Sequence, residues 1–371
     1  MPGNRRAREL SQLSASGHSL RVAILAEDGA VSACTRYRAL QYVPRLTARL
    51  GRVDVLLHED LVPRSRGPLA RGVYFARSAL DYCRVAVHVA QAVKRYDAVL
   101  VQRGLYPLGP GSIVRGLERF EGRVVFDLDD AVFADSPVLL ERPQIARWIY
   151  GPQQALRLLH RADATVVSTE ALATMLPSWA RADAVIPTVP DPSCYPVAEH
   201  VQECPVRIGW AGSMRNRSYL EIVRSALEQL SADGIAKLEV VSSEPWNGPS
   251  NFRRWTIAEE ATVFARFGIG IMPLPDTAYT RAKAGFKLLQ YMAAGVPVVA
   301  SPVGINRKLV GDSGSGFLAE DPADWERAIR LLAVDPALRA ELGSRGRAFV
   351  ERYADLDGHA DTLAGLLRGA L

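Results

Sequence analysis

Cysteine is scarce and scattered in this chain. Residues 34, 83, 194 and 204 form no Cys-x-x-Cys pair, so neither a disulfide framework nor a structural zinc site is expected, and a reduced, cytoplasmic protein is. The six histidines do not cluster at metal-ligand spacing. No apolar run reaches the roughly 18 residues that a transmembrane helix needs. Residues 1–17 are polar, carry Arg5, Arg6 and Arg8 and lack an apolar centre, so they read as a flexible basic tail and not as a signal peptide. Strong charge of either sign is absent as well, because 45 Lys+Arg stand against 40 Asp+Glu. The excess of +5 suits an anionic small molecule, an acidic membrane surface or weak nucleic-acid contact, and on its own chooses none of them.

Apolar residues, by contrast, make up 48% of the 371 positions, enough for two domains with a core each. Buried-strand runs at 21–27, 53–57, 97–102, 123–127, 164–168 and 185–187 alternate with helical stretches, among them 35–50 and 170–176, the latter capped by Ser168 or Thr169. Prolines 187, 190, 192, 196 and 205 then mark a linker. The alternation restarts with strands at 206–210, 238–242, 268–272 and 296–300 and helices at about 217–232, 257–266, 286–294, 323–333, 335–353 and 358–369. Two doubly wound parallel α/β domains follow. The expected boundaries are 18–190 for the first, 191–205 for the linker and 206–355 for the second, with 356–371 packing back on the first.

One stretch, Lys283 to Ser301, is the most informative. Phe286 to Ala294 holds good helix formers, Gly295 suits a left-handed helix end and Pro297 stops continuation. Val296 to Ala300 is a purely apolar strand. At the front, Lys283 and Lys287 lie four apart around Gly285. If one helix held both they would repel by a few tenths of a kcal/mol, at the end where the dipole disfavours cations. Helix-start N–H groups, a glycine and two lysines together describe a phosphate site; the alternative is that both lysines run out to solvent and Gly285 only shapes the turn.

Other candidates fall at strand ends on the same kind of edge. Gly212 and Ser213 follow the strand at 206–210, with Arg215 and Arg217 beyond them, and form either a second anion site or an ordinary turn. Trp246 offers an aromatic plane to a nucleobase, or is a packed loop residue. In the first domain Gly29, Arg36, Tyr37, Arg38 and Arg103 stand at strand ends or helix starts, where basic groups suit an anionic ligand. Asp127, Asp129 and Asp130 invite a divalent-metal reading against capping and loop-fixing roles. The Arg-rich segment 63–95 reads as a solvated helix face, a membrane-surface helix or an acceptor groove.

These residues together resemble a family. FKLLQYMAAGVPVVASPVG, preceded by GIGIMPLPD (268–276) and followed by GFL (316–318), looks like the donor-domain signature of glycosyltransferase family 4. RIGWAGS (207–213), DLDDAVF (127–133), VQRGLYP (101–107) and CTRYRALQYVPRL (34–46) resemble further segments of bacterial members. The resemblance implies a GT-B fold, two Rossmann-like domains facing across a cleft, with a nucleotide sugar on the second and the acceptor mainly on the first. It implies a retaining hexosyltransferase-like enzyme that needs no metal and no cofactor beyond its NDP-sugar co-substrate.

By position, Gly212, Ser213, Arg217 and Lys283 would meet the diphosphate, and Lys287 would hold phosphate or a neighbouring carboxylate. Trp246, Gly285, Phe286 and Gln290 complete the expected donor site. Lys283, Arg217 and Asp129 are the expected catalytic residues, and Gly29, Arg36, Arg38, Arg103 and Asp130 the acceptor side. The chain departs from the wider family at Ala282 and Gln290, where many members carry glutamates; Gln290 can still reach ribose hydroxyls through its amide. A histidine that some members place near the anomeric carbon is absent, with Asp129 or Asp130 in that region.

Transfer would neutralise the departing diphosphate with cations and helix-start dipoles while water is excluded. The acceptor is expected to be a small natural product, a glycan or a lipid-linked molecule and not a nucleic acid. Peripheral contact of 63–95 with the inner face of the membrane is left open. The competing readings are a sugar-nucleotide epimerase on the same scaffold and a non-catalytic nucleotide-sugar-binding protein.

Overall fold

The computed structural model describes residues 19–57, 68–105, 111–133 and 152–370. The expectations for the tail at 1–17, for 63–67 and the side chains of 68–76, and for Tyr106 and Pro107 lie outside them. The chain divides into two compact units, Met1–Thr188 with Leu356–Leu371, and Val189–Asp355.

The first unit holds β1 (Leu20–Ala26), β2 (Gly51–Leu56), β3 (Ala98–Gln102), β4 (Arg123–Leu128), β5 (Ala164–Val167) and β6 (Ala184–Val185), all parallel, in the order β2-β1-β3-β4-β5-β6. β3 and β5 are buried at every position and β1 and β4 at all but one, because helices cover both faces of a parallel sheet. The helix expected over 35–50 is instead α1 (Ala33–Arg38), a 3-10 turn and α2 (Val43–Leu50). Pro44 accounts for the break: it has no N–H to give a continuing helix and is tolerated in the first turn of a new one. A single helix, α3 (Pro68–Arg95), carries the Arg-rich segment; Val85, Val89 and Ala92 are buried along one stripe while Leu80 and Val87 are exposed. After α4 (Gln153–Arg161), Thr169 caps α5 (Glu170–Thr174), its Oγ1 accepting the Leu172 N–H at 3.0 Å.

The second unit orders its strands β12-β11-β10-β7-β8-β9, again all parallel: β7 (Val206–Ala211), β8 (Ala236–Ser242), β9 (Ser250–Arg254), β10 (Ile269–Met272), β11 (Val298–Ala300) and β12 (Gly316–Leu318). Its helices are α6 (Arg224–Ala232), α7 (Ala278–Arg281), α8 (Phe286–Ala293), α9 (Asn306–Ser313), α10 (Pro322–Val334) and α11 (Pro336–Tyr353). The helix expected from 217 begins as a 3-10 run, Met214–Val223, before α6; that expected over 257–266 is two 3-10 turns.

Residues 191–205 are no free linker, since they lie within the second unit. Tyr195 is buried, the Ala198 N–H donates to Ala294 O at 2.8 Å, and His200 Nε2 lies 2.8 Å from Gly295 O. The final helix, α12 (Leu356–Arg368), belongs to the first unit, where Arg49 of α2 meets Asp361 at 2.5 Å and Asp357 at 3.0 Å.

Candidate functional site

A doubly wound sheet opens where successive connections leave in opposite directions, and ligands bind outside the carboxyl ends of the strands there. In the second unit that point lies between β7 and β10, which pair only at Ile208–Ile269 and Gly209–Gly270. Beyond them the strands part around Tyr291, whose hydroxyl accepts the Ala211 N–H at 3.1 Å and donates to Gly209 O at 3.1 Å. Burial pushes that hydroxyl above its ordinary pKa, so it stays protonated and able to donate. The ring needs Gly270 beneath it, since a Cβ there would stand 2.4 Å from it. Tyr291→Phe keeps the ring and strips the bridge, and should cost about 1–3 kcal/mol through a buried amide left unpaired; an unchanged urea midpoint would show that water replaces the hydroxyl.

Beside this opening α8 starts from Gly285, which sits in the left-handed region (φ 65°) and whose carbonyl accepts from Leu288 N at 2.9 Å. Lys283 precedes the glycine, so the two lysines do not share a helix. Upstream, Thr277 and Thr280 cap α7 reciprocally. The Lys283 ammonium lies 4.7 Å from the centre of the Tyr279 ring. Lys287 Nζ donates to Gln290 Oε1 at 2.9 Å and lies 5.9 Å and 5.7 Å from the Phe264 and Phe286 rings. Ser301, at the end of β11, accepts the Leu274 N–H at 3.0 Å on its Oγ and the Asn306 side-chain amide at 3.1 Å on its carbonyl. Neither Tyr291 nor Ser301 was singled out by sequence.

Three expected donor residues lie differently. Gln290 is 0% exposed and its amide donates to Tyr195 Oη at 2.8 Å, so it is not open to a ribose. Trp246 is 6% exposed, packed in the second core, with its N–H on Glu221 at 2.8 Å and the Arg224 guanidinium 4.7 Å over its ring; no face is left for a base to stack on. Arg217 reaches the Pro245 carbonyl and lies 3.8 Å from Glu244, turned toward the loop after β8. Gly212 donates to Val241 O at 3.1 Å, and a Cβ on it would stand 2.6 Å from the Trp210 ring, so packing already requires the glycine. Ser213 is exposed at the head of the 3-10 run.

The first unit opens between β1 and β3. Arg103 follows β3 with φ 66°, unusual for a residue other than glycine. Its Nε lies 2.9 Å from Glu27 and 4.0 Å from Asp129, and its Nη1 3.4 Å from Cys34 Sγ. Burial opposes the Arg103 charge, but Asp129 and Glu27 win and hold it well above its ordinary value. Asp129 Oδ1 is buried with no hydrogen-bond partner among the described residues. Burial pushes the Cys34 thiol up, away from a nucleophilic thiolate.

The three aspartates diverge: Asp127 to Arg38, Asp129 beside Arg103, and Asp130 capping the Ala131 N–H at 3.0 Å. Among the described residues no group of three or more His, Cys, Asp or Glu has metal-binding geometry. Two acceptor-side expectations are corrected. Arg38 is buried in an ion pair with Asp127, and Arg36 folds back on the carbonyls of Ala30 and Val31. Gly29 is buried in the turn after β1, its carbonyl accepting from Ser32 N at 3.1 Å.

Two doubly wound parallel units, each opening at a switch point, define the GT-B architecture. A sucrose-phosphate synthase from Thermosynechococcus elongatus superposes with a TM-score of 0.65 at 17% identity, covering 94% of this chain and 99% of that one. Anabaena HepE, solved with UDP, gives 0.62 at 15%, covering 95% and 100%. Within the second unit, residues 205–335 match the family model described as "Glycosyl transferases group 1". A D-inositol 3-phosphate glycosyltransferase of Streptomyces avermitilis is 33% identical over 130 residues, 34% of this chain. That match spans 25% of the relative's own length.

Proposed function

We propose that this protein is a retaining, metal-independent glycosyltransferase of family 4 that moves a sugar from a nucleotide-diphosphate sugar to an acceptor hydroxyl. The observation that carries the reading is the left-handed Gly285 opening α8 between Lys283 and Lys287, inside the stretch that matches the family model. Helix-start N–H groups and two ammonium groups favour a diphosphate there. HepE, solved with UDP, supports a nucleotide sugar as the donor.

In this reading Lys283 and Lys287 take up the charge that develops on the leaving diphosphate. Gly212 and Ser213, just after β7, would meet the diphosphate as well. Arg217 joins only by leaving Glu244. The acceptor, a small natural product, a glycan or a lipid-linked molecule, binds the first unit by the Glu27–Arg103–Asp129 cluster, where Asp129 would orient its hydroxyl. We further propose a cytoplasmic protein. Among the described residues no helix is long and apolar enough to cross a membrane.

The test is a panel of UDP-, GDP- and dTDP-sugars by calorimetry, without added metal, on wild type and Lys283→Ala. One nucleotide should bind tightly, and the substitution should weaken it at least about tenfold, or 1.4 kcal/mol. Binding of none, or equal binding to both proteins, removes the donor site from this helix start. Binding with no sugar transfer to any of a broad acceptor set would favour a non-catalytic sugar-nucleotide binder.

A further inference from the structure

The position most altered from its expected role is Gln290. It lies on α8 three residues after Lys287, is fully buried, and bridges two side chains: Lys287 Nζ at 2.9 Å and Tyr195 Oη at 2.8 Å. Its orientation follows from chemistry. Lysine has no acceptor, so the amide oxygen must face the ammonium, and the NH2 is left to donate to the tyrosine. Tyr195 is itself fixed, since its carbonyl accepts from Arg347 at 3.0 Å, that same guanidinium reaches Ala293 O at the end of α8, and its ring packs at 6.0 Å from Phe264.

We propose that Gln290 is a positioning residue: locked by Tyr195, it aims the Lys287 ammonium at the diphosphate, and it does not read the ribose. This rests on the donor-site reading above and deepens it. A cation in the first turn of a helix is disfavoured by the dipole. Here an amide oxygen and the Phe264 and Phe286 faces, at 5.9 and 5.7 Å, hold the ammonium in place. The amide that accepts from it is neutral. A glutamate at 290 would hold the lysine as well, but its charge would cancel much of the field offered to an anionic ligand. A neutral anchor keeps both the geometry and the charge. Ribose recognition must then come from other groups, and losing Gln290 should not alter it.

Two readouts separate this from a ribose contact. Affinities of UDP and GDP and of their 2′-deoxy and 3′-deoxy forms are measured on wild type, Gln290→Ala, Tyr195→Phe, Lys287→Met and the double variant Gln290→Ala/Lys287→Met. Gln290→Ala should weaken the ribo and deoxy forms by the same factor, roughly three- to tenfold, the scale of one hydrogen bond. It should have almost no further effect once Lys287 is methionine. Tyr195→Phe, which keeps the ring and the core, should act in the same direction and carries the test if Gln290→Ala does not fold. A ribo-over-deoxy preference that disappears in Gln290→Ala, or losses that add to those of Lys287→Met, would overturn the inference while leaving the donor site standing. Failure of every diphosphate to bind the wild type overturns the donor site itself, and this inference with it.

Discussion

Arg38→Met is expected to destabilise the first unit by about 3–5 kcal/mol, the cost of leaving one member of a buried ion pair alone. Both side chains are only 3% exposed, so solvent screens little of the interaction. Arg38 Nε donates to Asp127 Oδ2 at 2.7 Å, and Nη1 donates to Ile186 O at 2.8 Å and Thr188 Oγ1 at 3.0 Å. The side chain therefore ties α1 to the end of β4 and to the chain leaving β6. Burial opposes the Arg38 charge but Asp127 outweighs it, so the guanidinium stays charged. Burial likewise lifts the Asp127 carboxyl above its ordinary range, against the pull of Arg38. In the variant only the lifting influence remains. A carboxyl whose folded pKa is raised contributes less stability as pH rises from the unfolded value through the folded one. The deficit should thus be widest near neutral pH and shrink toward the ordinary carboxylate range. Urea midpoints of wild type and variant near pH 7 and near pH 5 measure both effects. A deficit that is small, or flat with pH, would mean that water reaches Asp127. Because the pair is structural, the activity proposed above should, per folded molecule, change far less than stability does.

The parallel strands could be read from sequence because burial on both faces leaves no polar alternation. Val99 to Val101, Val124 to Phe126 and Val298 to Ala300 are apolar runs and form β3, β4 and β11. β9 could not be read. Its residues Ser250 to Arg254 are mostly exposed on an edge, so pairing with β8 makes the strand and no pattern announces it. The proline cluster after 187 suggested a spacer because composition does not record that Tyr195 has a buried partner 95 residues later. Arg38 misled for the same reason, since Asp127 lies 89 positions away. Local chemistry was more informative at the helix start, where Gly285 and its flanking lysines suggested a tight turn with cations on either side. Even there the sequence left open which lysine belongs to the helix, and the left-handed glycine decides it by starting α8 at Phe286.

Gly285→Ala should cost roughly 2–5 kcal/mol, from two separable causes. The first is backbone: at φ 65° an L side chain meets its own carbonyl, worth about 1–2 kcal/mol. The second is crowding. A Cβ at 285 would stand 2.5 Å from Leu309 Cδ1 and 2.9 Å from Ile305 Cγ2, and Leu309 is buried on α9. Overpacking of that kind costs about 1–3 kcal/mol. Gly234 offers the control, because its φ is 67° and a methyl added there would meet nothing within 4 Å. Gly234→Ala carries the backbone cost alone, and the difference between the two urea midpoints is the crowding. The same crowding should act on binding. If the clash is relieved by α8 moving away from α9, the Phe286 N–H and Lys287 move with it, and nucleotide affinity at the donor site proposed above should fall at least about tenfold. Equal costs at 285 and 234 with affinity intact would mean that the Leu309 wall yields and that the glycine is needed for its backbone angle, leaving Lys283 and Lys287 as the site's main attraction for a diphosphate.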